Sequence, residues 1–216
     1  MLLIVARSCH SRRVGAAYAF YPTYDGVDVQ DWGLIKYNNC RVGHPTMAKG
    51  LTQSSSVVSI GFEAVEGAPN TFTQSQVDLN LSPLDREVFV VLAINLDTDF
   101  PDAIAATDTL VRGALSSTSQ TAIPTLTDAN CLSRITYGIR ANGFVDGGVG
   151  FGSQALETPP STLEYIGIIA TNDFFVQVQG TNNTTQKSVS GKMYGYRAKA
   201  SADIYAALVQ SEVLSA

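Results

Sequence analysis

The residue types that usually perform catalysis or hold metals are concentrated in the first 46 positions of this chain. After Met47 there is no histidine, and Cys131 is the only cysteine. Neighbouring Cys and His residues rarely reach one tetrahedral centre, so we do not expect zinc at the earlier set. Nucleophilic catalysis by Ser or Thr needs an adjacent base, and the later part lacks histidine to supply one. We therefore predict that the protein is not an enzyme. The earlier set comprises Cys9, His10, Cys40 and His44.

An acidic run follows the most apolar stretch of the chain. Its carboxylates at Asp97, Asp99 and Asp102 are the oxygen ligands that calcium prefers. The run lacks the glycine and the final glutamate of an EF-hand loop at the required spacing. Asp97, Asp99 and Asp102 are thus candidate calcium ligands, with solvated turn residues as the alternative. No other cofactor is expected.

Composition and charge restrict the partners. The chain has 216 residues, of which 15% are charged, and a formal net charge of -5. An acidic chain has no general attraction to nucleic acid or to an anionic membrane surface. No apolar run approaches the ~20 residues that span a bilayer. We therefore predict neither direct nucleic-acid contact nor a membrane partner.

The pattern of the chain changes at Met47. Short alternating strands begin there, whereas residues 1–46 show no such regularity. Residues 1–46 are interpreted either as an N-terminal arm that packs on a neighbouring subunit or as an upstream extension from a misassigned start; we favour the extension. Residues 47–216 are predicted to form one β-sandwich domain, because this length suits a single core.

Alternating and apolar runs predict the strands of this domain. The run 87–96 is apolar at nearly every position and rich in β-branched residues, which is typical of a strand buried on both faces. Residues 109–127 are predicted to form two short strands at exposed edges, broken at Gly113 and Pro124. Other predicted strands are 55–65, 72–81, 132–139, 163–170, 173–180 and 188–200.

Connections and the C-terminus complete the prediction. The glycine-rich stretch 142–152 is predicted to be the largest loop. Turn residues 171–173 predict a hairpin between 163–170 and 173–180. Residues 201–214 have a helical stripe at Ile204, Leu208 and Val209. The fold class is therefore all-β, an antiparallel β-sandwich or jelly roll of about nine strands with one C-terminal α-helix.

Three stretches give the domain its resemblance to a known group. Taken together, they resemble small β-rich virion proteins of phages that infect marine microbes, over residues 47–216. The resemblance implies a capsid, decoration or coat-like role and offers no catalytic residue. The stretches are Arg86–Ile94, Tyr165–Phe175 and Ile204–Gln210.

Two functions follow as expectations. The first is a virion structural protein that assembles with copies of itself or with other capsid proteins, as a homo-oligomer. Few charges and the aromatic pairs Phe174–Phe175 and Tyr194–Tyr196 suit such partly apolar interfaces. The alternative is a glycan-binding module in which exposed tyrosines stack on sugar rings and the loop 97–102 holds calcium.

Overall fold

The computed structural model describes residues 50–145, 147–159 and 163–214. The predictions for residues 1–46, including the cysteine–histidine set, lie outside the described residues. No helix in the described part of the chain combines the length and the apolar character needed to cross a bilayer.

The strands are β1 (Leu51–Gln53), β2 (Val58–Val65), β3 (Thr73–Asp78), β4 (Glu87–Thr98), β5 (Thr109–Ser116), β6 (Cys131–Arg140), β7 (Val149–Ala155), β8 (Gly167–Ile169), β9 (Asp173–Thr181) and β10 (Ser188–Ala200). The helix is α1 (Ala202–Leu214), and a short 3-10 helix spans Pro83–Asp85.

The strands form two antiparallel sheets. In the first sheet β10 lies between β4 on one side and β1 and β2 on the other, and β8 follows β4. The second sheet has the order β3-β9-β5-β6-β7. If β1 and β7 are left out and the other eight strands are renumbered 1 to 8 along the chain, the first sheet has the order 1-8-3-6 and the second has the order 2-7-4-5. This order is a jelly roll, so the predicted fold class is confirmed.

Strand β4 contributes side chains to both hydrophobic clusters, and it contains a bulge. Tyr194 of β10 pairs with Ala93, but the next residue pairs with Val91, which leaves Leu92 as the extra residue. A bulge of this kind shifts the alternation of side chains by one position. Phe89 and Ile94 consequently reach the same core between the sheets. The prediction that this strand is buried on both faces is confirmed, since Val88 to Val91 are at most 1% exposed.

Helix α1 covers a second apolar cluster on the outside of the first sheet. Ile204, Leu208 and Val209 pack there, as the sequence predicted, together with Tyr205. Beneath them lie small side chains and valines of β4 and β10. Burying apolar area of this kind contributes roughly 25 cal/mol per Å². The helix is therefore held to the sandwich mainly by the hydrophobic effect.

The prediction of two exposed edge strands at 109–127 is wrong. The structure has one strand, β5, in the middle of the second sheet, and Gly113 lies within it. A Cβ atom at this glycine would lie 2.7 Å from Cγ2 of Val189 and 3.0 Å from Cγ2 of Ile135. Gly113 thus permits close packing between the sheets and does not end a strand.

The glycine-rich stretch is not entirely a loop, because β7 forms within it. This strand pairs with β6, and Tyr137 lies opposite Gly152. A Cβ atom at Gly152 would collide with the tyrosine ring. Glycine here makes room for an aromatic ring on the neighbouring strand, an arrangement that the glycine content alone does not reveal.

The predicted hairpin at residues 163–180 is also wrong. Strand β8 pairs with β4 in the first sheet, whereas β9 pairs with β3 and β5 in the second. The turn between them carries the chain from one sheet to the other. Its backbone and side-chain groups serve other segments: the Asn172 carbonyl and Oδ1 accept hydrogen bonds from the N–H groups of Leu79 (2.7 Å) and Leu81 (2.6 Å).

Candidate functional site

Polar side chains from three loops meet at one end of the sandwich. These loops are residues 66–72, 99–108 and 182–187, and we call them together the loop end. Asn70 donates to the carbonyl of Asn183 (2.8 Å) and accepts from its N–H (2.7 Å). Asn183 is buried, and its amide also donates to the Leu110 carbonyl (2.8 Å). The loops are thereby fixed to each other and to β5.

Asp102 is the centre of the loop end. Its carboxylate lies 2.6 Å from Nζ of Lys187 and accepts hydrogen bonds from the N–H groups and hydroxyls of Thr184 and Thr185. The Lys187 ammonium, followed by the Thr184 hydroxyl, holds the pKa of Asp102 well below its usual range. The carboxylate is thus strongly stabilised as an anion.

Glu66 also belongs to the loop end and is 2% exposed. One of its oxygens accepts the N–H of Gly180 (2.5 Å), and the other accepts the N–H of Lys187 (2.9 Å). The backbone of Glu66 pairs in turn with the Lys187 carbonyl (2.9 Å). Each carboxylate oxygen therefore has a backbone partner, as a buried polar group requires.

The loop end has the geometry of a structural clamp. Catalysis requires a nucleophile or base that a substrate can reach. The side chain of Lys187 is only 7% exposed, and its ammonium is engaged with Asp102. Glu66 is likewise engaged with backbone groups. The cluster joins three loops, and its lysine and its buried glutamate are engaged within the protein.

The three predicted calcium ligands have separate partners. Asp97 lies on β4 opposite Ser190. Asp99 accepts hydrogen bonds from the N–H (2.7 Å) and hydroxyl (2.8 Å) of Ser188. In the described ranges, no three or more His, Cys, Asp and Glu side chains form a group that could hold a metal ion. Calcium at Asp97, Asp99 and Asp102 stays a prediction, and at Asp102 it would have to displace the Lys187 ammonium.

The opposite end of the sandwich contains a second buried carboxylate. Glu212 of helix α1 is 7% exposed and accepts the N–H groups of Ala170 (3.1 Å) and Thr171 (2.9 Å). Burial raises the pKa of Glu212, and the two backbone hydrogen bonds oppose this effect. The helix is thus tied to the turn between β8 and β9 by a polar contact as well as by its apolar stripe.

An exposed apolar surface lies along the edge of the second sheet. We call Val149–Ala155 the β7 edge. Phe100 is 78% exposed, with its ring centroid 5.5 Å from that of Tyr137. Phe151 lies under the guanidinium of Arg140, 5.6 Å from its ring centroid. These rings and neighbouring glycines line an open depression of about 340 Å³.

Two of the aromatic residues expected at an interface are placed differently. Phe174 is fully buried and makes an edge-to-face contact with Phe62, with centroids 5.7 Å apart, so its expected role at a surface is wrong. Tyr196 packs against the cluster under helix α1. Two exposed aromatic residues, Phe151 on the β7 edge and Phe100 beside it, were not singled out from the sequence. The sequence pattern indicated these two residues only weakly, because both follow residues that are typical of loops.

Sequence reasoning also missed Glu66, Lys187 and Glu212. Each is a charged residue whose partners are distant in the chain: Lys187 is 85 residues from Asp102, and Glu66 is 114 residues from Gly180. A single sequence has no local pattern that reports such contacts. Only the meeting of the loops makes these residues a cluster.

Comparisons with known proteins find structural likenesses only. No family model matches the chain, and no curated protein matches it. A chain of the Merkel cell polyomavirus VP1 unassembled pentamer matches with a TM-score of 0.32 and 5% identity, covering 70% of this chain and 98% of that chain. A chain of Desmodium yellow mottle tymovirus has a TM-score of 0.28 and 13% identity over 68% of this chain and 90% of that chain.

A third solved structure is also viral. A chain of turnip yellow mosaic virus has a TM-score of 0.25 and 13% identity, covering 66% of this chain and 94% of that chain. Because none of these TM-scores reaches 0.5, the jelly-roll assignment depends on the strand order of this chain and not on these likenesses. Nothing in the matches points to phages of marine microbes in particular.

Proposed function

We propose that this chain is a non-enzymatic structural protein of a virion, where it assembles with copies of itself or with other capsid proteins. The jelly roll is an architecture of viral capsid and lectin domains, among others, so the fold alone does not decide between these functions. Function must therefore be argued from surfaces. The proposal includes neither direct nucleic-acid contact nor a membrane partner.

The observation that carries the proposal is the exposed, uncharged β7 edge. Val149 is 60% exposed and Phe151 is 40% exposed, next to Phe100 at 78%. Exposed apolar surface that adjoins an open strand edge marks a site of protein association. By contrast, the charged residues of the loop end are satisfied internally. The molecule thus has a surface suited to assembly and a polar cluster suited to rigidity.

Electron microscopy and sedimentation test this proposal. We expect the purified full-length chain to form discrete oligomers or particles whose abundance rises with concentration. Negative-stain images would show their shape, and sedimentation velocity would give their mass. A chain that stays monomeric up to hundreds of micromolar and forms no particles would contradict the proposal.

A calcium-assisted glycan-binding module is the second candidate. Phe100 favours it, because an exposed ring directly after Asp99 resembles a platform on which a sugar ring can stack. The observation that weighs against it is the engagement of Asp102 by Lys187. A glycan array run with calcium and again with chelator distinguishes the two functions. Chelator-sensitive binding that Phe100→Ala abolishes would favour the glycan module.

A further inference from the structure

The sheet edges of the described domain differ in how they are protected against pairing with another strand. Edge strands are usually shortened or carry charges, because an open row of N–H and C=O groups attracts a further strand. In the first sheet, β8 and β1 have three residues each, and β2 carries Glu63. In the second sheet, β3 carries Asp78. The remaining edge is β7.

Strand β7 has none of these protections. Its seven residues are Val-Gly-Phe-Gly-Ser-Gln-Ala, without a charge or a proline, and the first six are exposed. In the described part of the chain it pairs with β6 alone. The backbone groups on its other side point away from β6, and another extended strand satisfies such groups best.

We propose that the β7 edge pairs with the β7 edge of a second copy, in antiparallel orientation about a two-fold axis. This inference rests on the proposed function and identifies the surface through which the chain associates with itself. The result is one ten-stranded sheet that runs through both copies. A two-fold contact of this kind is self-complementary and closes at a dimer.

Strand direction supports this partner over the other edge of the same sheet. The five strands of the second sheet alternate in direction, so β3 and β7 run the same way. A neighbouring copy that continued the sheet by placing its β3 beside β7 would form a parallel pair. Parallel pairing is slightly less stable per residue than antiparallel pairing, and Asp78 would lie in that contact.

The middle residue of the strand gives the register. A two-fold axis at Gly152 pairs all seven residues and places Phe151 opposite Ser153 of the second copy. Gly150 then lies opposite Gln154 of the second copy, and no charged side chain faces another across the junction.

The arginines nearest to the junction repel each other only weakly when two β7 edges pair. Arg140 pairs with Val149, and Arg134 pairs with Ala155, so each arginine lies one strand inside the edge. Arg140 and Arg134 of the second copy would be separated by three strand spacings, about 14 Å. Screening in physiological salt acts over about 8 Å, so their repulsion is weak.

Gly150 is the position at which to test the pairing. A Cβ atom there would have no atom within 4 Å, and its backbone φ lies outside the left-handed region, so a side chain fits the folded monomer. Gly150→Lys places a charge in the proposed contact. Gln76→Lys places the same charge in the middle of β3, on the other edge of the sheet, and is the matched control.

Sedimentation velocity on the full-length chain over a concentration series measures the effect. We expect Gly150→Lys to raise the dimer dissociation constant about tenfold or more, since a lysine on an edge strand disfavours pairing with a further strand, and Gln76→Lys to leave it unchanged. The double variant Gly150→Lys, Gln154→Glu should recover dimerisation, because each lysine would then face a glutamate of the second copy. Deuterium uptake at residues 149–155 should fall as the wild-type concentration rises.

The outcomes separate the pairing from the proposed function. If the wild-type chain assembles and Gly150→Lys assembles equally well, the pairing of β7 edges is refuted and the structural role remains. Failure of the double variant to recover would refute the register centred on Gly152. If the wild-type chain is monomeric throughout and forms no particles, both the pairing and the proposed function fail.

Discussion

The clamp between Asp102 and Lys187 predicts an asymmetric loss of stability when either residue is replaced. In Asp102→Asn the ammonium of Lys187, whose side chain is 7% exposed, loses its carboxylate. Leaving a buried charge unpaired costs about 3–5 kcal/mol. In Lys187→Met the carboxylate keeps its partners at Thr184 and Thr185 and is 23% exposed, so the loss is one charged hydrogen bond, about 1.5–3 kcal/mol.

Urea unfolding, followed by far-UV circular dichroism of the backbone, measures this difference. With a slope near 2 kcal/mol per molar urea, the midpoint should fall by about 2 M for Asp102→Asn and about 1 M for Lys187→Met. The exposed pair of Lys199 and Asp85, 3.5 Å apart, supplies the control, and Lys199→Met should not shift the midpoint measurably. A Lys187→Met variant as unstable as Asp102→Asn would refute the proposed difference in burial.

The pH dependence of the same clamp follows from the lowered pKa of Asp102. Its stabilising contribution is complete above the ordinary value of 3.8 and is lost as the pH falls below it toward the folded-state pKa. Wild type should therefore lose stability more steeply than Asp102→Asn below about pH 4. Equal slopes in acid unfolding curves would contradict the assignment.

Three further predictions concern the helix and the core. Glu212 has a raised pKa, so its contribution to stability is present below the ordinary value of 4.5 and is lost as the pH rises through the folded-state pKa; Glu212→Gln should remove this slope in thermal melts from pH 4 to 8. Gly113→Ala should destabilise by about 1–3 kcal/mol through overpacking, whereas Gly150→Ala, with open space around it, should have little effect in urea unfolding. Phe174→Ala should cost about 3–5 kcal/mol in the same assay, and a loss below 1 kcal/mol would contradict its place in the core.

Local patterns predicted the elements that depend on their own residues. The run at β4 is apolar on both faces because the strand touches the core between the sheets and the cluster under α1. Strand β10 was predicted at its observed bounds, and α1 begins one residue after its predicted start. In these segments the periodicity of apolar residues directly reflects burial, so the sequence was sufficient to predict the elements.

Errors arose where a residue serves a distant neighbour. Gly113 and Gly152 looked like chain breakers, yet each makes room for a side chain from another strand. The turn at Asn172 looked like a hairpin turn, yet its polar atoms bind the segment after β3. Turn residues and glycines have the same local preferences whether they end a strand or serve a distant segment. Only the partner strand distinguishes these two roles.

The candidate site was predicted least well. The acidic run singles out Asp102 as a carboxylate, but no pattern in the sequence identifies Lys187 as its partner. The sequence by itself determined that this chain is a β-rich domain with a C-terminal helix and few reactive side chains, because composition and alternation are local properties. Only the tertiary structure decided that Asp102 joins loops and that β7, among the residues that the structure describes, leaves an uncharged edge open, because pairing across the sandwich depends on how distant segments meet.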